Sequence, residues 1–64
     1  MKEVQLRTLN KGDFFKLKPT ETSTVWVKGV FIRQVGKYST YKFKDTNHER
    51  LFNGDTFVYI DFEF

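Results

Sequence analysis

The chain has 64 residues and a mass of 7.7 kDa, which leaves room for one small domain over residues 1–64 and for no second. Its make-up, 39% hydrophobic and 19% aromatic, excludes a disordered segment, because disordered chains are poor in aromatics. The absence of cysteine excludes a disulfide staple and a thiolate-held metal, and the net charge of +3 suits a polyanionic partner.

Helix formers are scarce and alanine is absent, whereas β-branched and aromatic residues dominate. The pattern predicts five antiparallel strands. The first covers residues 13–18, after the turn signal Asn10-Lys11-Gly12-Asp13, with residues 4–9 as a candidate pairing segment ahead of it. Pro19-Thr20-Glu21-Thr22-Ser23 separates it from a long second strand, residues 24–34, in which Gly29 predicts a bulge or bend. The short turn at Val35-Gly36 makes a hairpin with the third strand, residues 37–44. Asp45-Thr46-Asn47-His48 reads as a turn, with Asp45 and Asn47 bonding backbone and Thr46 with Glu49 framing a single helical turn. The fourth strand is residues 49–52, and Asn53-Gly54-Asp55 leads into the fifth, residues 56–64. That last strand is apolar on both sides, which predicts a central position or a strand lying across and closing a barrel.

Alternation along strands assigns faces. Phe15 and Leu17, Val25 and Val27, and Tyr41 and Phe43 read as core. The opposite face collects Phe14, Lys16, Lys18, Trp26, Lys28, Tyr38, Lys42 and Lys44, with Arg33 joining beyond the bend. Basic and aromatic residues on one sheet surface are what small single-strand binders use: lysines neutralise phosphates and rings stack on unpaired bases. These nine residues are therefore the candidate site for single-stranded nucleic acid or RNA. The plain alternative is that lysines on strand surfaces discourage aggregation. A second class of function is a protein-interaction or assembly module, with Tyr59, Phe62 and Phe64 as interface candidates in a weak homodimer or a larger complex. A monomer is the other expected state.

Catalysis is not expected. Ser39 and Thr40 lie mid-strand, the four glycines are isolated, and no nucleophile neighbours the one histidine, His48. A metal site would need more ligands than Asp45, His48 and Glu49 supply, so neither metal nor cofactor is expected. No apolar run has the length of a membrane span or a signal-peptide core, and a cytoplasmic location is the expectation.

Lys11-Gly12-Asp13-Phe14-Phe15 is echoed by Asn53-Gly54-Asp55-Thr56-Phe57, each a Gly-Asp turn feeding a strand with Phe two residues on. This pattern, with the strand count, resembles small SH3-like β-barrels. The resemblance implies a barrel of about five strands, of a kind that commonly binds peptide, RNA or DNA and rarely catalyses. An OB-like barrel or an open meander is the alternative architecture. The acidic loop and tryptophan pair of a proline-rich peptide binder are missing.

Overall fold

The computed structural model describes residues 1–63. They form one antiparallel sheet of six strands: β1 (Lys2–Gln5), β2 (Phe14–Lys16), β3 (Val25–Ile32), β4 (Lys37–Lys42), β5 (Asp45–Phe52) and β6 (Phe57–Ile60). A single 3-10 turn, Leu6–Thr8, follows β1. The spatial order is β1-β6-β2-β3-β4-β5. Strands β2 to β5 are thus a meander, and β6 returns to lie between β2 and β1. The all-β class holds and β6 is central, as its two apolar sides imply.

Three expectations are corrected. The sheet does not close into a barrel: β1 and β5 are its two free edges. There are six strands, because residues 2–5 pair along β6 from Lys2 opposite Ile60 to Gln5 opposite Phe57. Residues 45–48 belong to β5 and not to a turn, since the chain already reverses at residues 43–44, where Lys42 pairs with Asp45. The polar run Asp45–Arg50 suits an exposed edge, where charge discourages pairing with another chain. The register between β4 and β5 shifts between Tyr41 and Lys42, so residues 46–48 bulge out of the ladder. The Asn47 N–H donates to Asp45 Oδ1 at 3.3 Å there, the side-chain turn expected of Asp45.

The main apolar cluster lies against one face, and Val27 is buried on the reverse. Leu6, Leu9, Phe15, Trp26 and Val58 are the cluster's buried members, with Val4, Leu17, Tyr38, Phe52 and Ile60 packed around them. Register explains the grouping, since directly opposed residues in a ladder share a face. Val4 stands opposite Val58, Phe15 opposite Trp26, and Tyr38 opposite Phe52. The 3-10 turn and Leu9 roof this face. The Leu6 and Arg7 N–H groups donate to the Thr56 and Gly54 carbonyls, each at 2.9 Å.

Gly29 makes the expected bulge. The pairing passes from Lys28–Thr40 to Phe31–Tyr38, three steps on β3 against two on β4. A Cβ at Gly29 would stand 2.4 Å from Ser39 Oγ and 2.9 Å from the Ser39 carbonyl oxygen. The same hydroxyl accepts from the Val30 N–H at 3.1 Å. The bulge turns Phe31 onto Tyr38, ring centroids 4.9 Å apart, and leaves Val30 half exposed on the other side. Among the described residues, no helix is long and apolar enough to cross a membrane.

Candidate nucleic-acid interface

The nine candidate residues do not share a face. Because Phe15 pairs with Trp26, the alternation of β3 is in the opposite phase to that expected: Trp26 and Lys28 lie on the core side, Val25 and Val27 on the reverse. The same correction applies to β4. Tyr38, Thr40 and Lys42 stand on the core side opposite Phe31, Lys28 and Trp26, while Tyr41 faces the reverse opposite Val27. Phe14 and Lys16, opposite Val27 and Val25, are on the reverse face.

Two of the lysines are internal. Lys16 is 2% exposed, and its ammonium donates to the Thr20 and Glu21 carbonyls at 3.2 and 3.0 Å and lies 4.8 Å from the Phe62 ring centroid. It ties down the loop of residues 17–24. Lys28 is 4% exposed. It donates to the Leu9 carbonyl and lies 4.2 Å over the Tyr38 ring. Burial pushes its amine below the ordinary lysine range, against the opposing pull of Asp13. Both ammonium groups have their acceptors, as burial demands. Arg33 sits in the turn at residues 33–36, at the far end of the β3–β4 hairpin from Lys42 and Lys44.

The remaining cations converge. Lys42 Nζ and the Arg50 guanidinium each lie 5.9 Å from the Trp26 ring centroid, and the guanidinium lies 5.1 Å from that of Phe52. The His48 ring meets Trp26 edge-on at 6.1 Å. Together with Lys18 they line a groove of about 590 Å³ whose other wall is Thr20, Thr22, Ser23 and Thr24. No carboxylate is among its described lining residues. Trp26 itself, 4% exposed, forms the floor and offers little ring face. A second cavity of about 620 Å³ adjoins, sharing Thr22, Ser23, Thr24 and Lys42, and reaching Phe43, Lys44 and Lys16.

Of the expected residues, Lys18, Trp26 and Lys42 come together, and Lys44 stands next door. His48, Arg50, Phe43 and the hydroxyl wall were missed. Arg50 had a signal: Arg50 and Phe52 alternate with Glu49 and Leu51 along β5. Two of the interface candidates, Tyr59 and Phe62, make contacts within the chain. The Tyr59 hydroxyl donates to Glu3 Oε2 at 2.9 Å, which raises its pKa, burial adding a smaller push in the same direction. Strand β6 ends at Ile60, because Asp61 takes a left-handed φ of 59°. The tail then brings Phe62 to Lys16 on the reverse face, away from the Val58–Ile60 stripe. Phe64 lies outside the described residues.

Comparison with protein-family models, with curated proteins and with solved structures finds no match in any of the three.

Proposed function

We propose that the chain is a non-catalytic binding module for single-stranded nucleic acid, RNA included, held by its phosphates in the groove over Trp26. The observation that carries this reading is the convergence of Lys18, Lys42, Arg50 and His48 on one groove with no described carboxylate in its lining. The charges of Lys18, Lys42 and Arg50, brought together, repel. Aromatic faces offset part of that cost, and a bound polyanion would remove the rest while releasing its counterions. The threonine and serine hydroxyls opposite are further donors to phosphate oxygens. The volume falls in the usual range for ligand sites, roughly 300–1,000 Å³. The meander β2–β5 with β6 beside β2 supports an opened SH3-like arrangement, the kind of scaffold from which a binding role is expected.

The test is titration of a mixed single-stranded oligonucleotide, followed by the fluorescence of Trp26, the one tryptophan. Affinity should fall steeply between about 50 and 200 mM salt. The double variant Lys42→Glu, Arg50→Glu should lose most binding and flatten the salt slope. Binding that is insensitive to salt and to that variant would sink the phosphate reading and favour a protein partner, for which steep salt dependence is not expected.

A further inference from the structure

We infer that Phe43 is the base-stacking residue of this site, so that a strand gripped by its phosphates over Trp26 lays an unpaired base on the other side of the β4–β5 turn. The inference rests on the groove reading above and adds what makes the site select single strands. Stacking needs an accessible ring. Trp26 has none to give, being 4% exposed, whereas Phe43 is 42% exposed.

Position and chemistry agree. Phe43 stands between Lys42 and Lys44 in the two-residue turn, and its cavity shares a wall with the cationic groove. A strand leaving the groove past Lys42 meets Phe43 next. Unlike the groove, this second cavity is also lined by Glu21, Asp45 and Glu63. Carboxylates disfavour a phosphate there and leave an uncharged base as the group that fits. The position is anchored, since the Phe43 N–H donates to the Val25 carbonyl at 2.9 Å and the ring stands perpendicular to that of Phe14 with centroids 5.3 Å apart. An aromatic on an anchored backbone stacks with less loss of freedom. Turn chemistry does not explain a phenylalanine at this position, because short hairpin loops favour asparagine and glycine.

The experiment compares two labelled strands of equal charge, an oligothymidylate of about ten nucleotides, within the site sizes of small single-strand binders, and an abasic strand of the same length. Both carry the phosphates the groove reads, and one carries bases. The wild-type chain should bind the thymidylate about tenfold more tightly, the effect of one stacked base. Phe43→Ala should remove that preference and leave the salt slope unchanged, and Phe43→Trp should restore it, which also shows that the fold survives substitution at this turn. Equal binding of the two strands by the wild type, or a preference that persists in Phe43→Ala, overturns the stacking role and leaves the groove intact. Binding of neither strand by the wild type overturns the groove reading and the stacking role together.

Discussion

Lys16 and Lys28 differ from Lys42 and Arg50 in burial and in hydrogen bonding, although all four lie against aromatic rings. The first pair is buried, and their ammonium groups are spent on backbone carbonyls of the 17–24 loop and of Leu9. The second pair lies over the rings of Trp26 and Phe52 at the mouth of an open groove with no described carboxylate in its lining. A buried ammonium is an architectural donor: it satisfies carbonyls of the surrounding chain, and burial leaves it little access to a ligand. A cation at the open mouth of a groove keeps its donors in reach of something else. The same residue type on one small sheet therefore divides into framework and binding group, and burial separates the two.

The comparison is broken most severely at Trp26, the floor beneath Lys42 and Arg50. Trp26→Ala should cost about 3–5 kcal/mol, enough to unfold most of the population of an unstapled domain of this size. The indole contacts Phe52, His48, Lys42 and Arg50 and belongs to the buried cluster. Circular dichroism through a urea titration reads the loss. A midpoint close to the wild type would place the indole outside the core.

Next in size is Lys28→Met, which keeps the apolar stem and removes the donor to Leu9. The orphaned carbonyl should cost about 1–3 kcal/mol, seen as a lower urea midpoint at unchanged slope. Lys42→Glu with Arg50→Glu is the contrasting change. Arg50 is exposed and Lys42 half-buried, and each gives up a ring contact near the outer limit of its range, so the pair should cost about 1 kcal/mol while nucleic-acid affinity collapses. Equal loss of stability in the two variants would erase the distinction between framework and binding cations.

Much of the architecture was legible in the residues. The β class, the β3–β4 hairpin, the bulge at Gly29 and the central place of residues 57–60 all follow from propensity, turn chemistry and two-sided apolarity. The face assignment failed on β3 and β4 for a definite reason. Alternation says that Trp26 and Lys28 share a side, but only the register that sets Phe15 opposite Trp26 says which side is the core. Residues 45–48 were misread because Asp, Thr and Asn are turn formers by local chemistry, whereas here they border an exposed edge strand after a two-residue reversal. Barrel closure depends on the edges β1 and β5 meeting, which no local signal reports. Arg50 and His48 entered the site only once β5 had been extended through them.

The smallest expected effect is a pH dependence that isolates Lys28. Its amine is depressed below the ordinary value near 10.5 by burial. Below the folded-state pKa both folded and unfolded chains carry the charge, and the burial penalty is present in full. Between that pKa and 10.5 the unfolded chain binds the extra proton, so stability rises with pH. The neutral amine still donates to Leu9, and the charge-dependent contacts with the Tyr38 ring and Asp13 that are lost are outweighed by relief of burial. Tyr59 acts in the opposite sense, since its hydrogen bond to Glu3 raises its pKa above the usual 10.0. From 10.0 upward the folded chain holds a proton that the unfolded chain has released, and stability falls. Urea midpoints taken from neutral pH into this alkaline range should therefore climb and then be checked. Tyr59→Phe should extend the climb and Lys28→Met should abolish it. A climb that survives Lys28→Met would mean that the buried ammonium is not the group whose charge the fold resists.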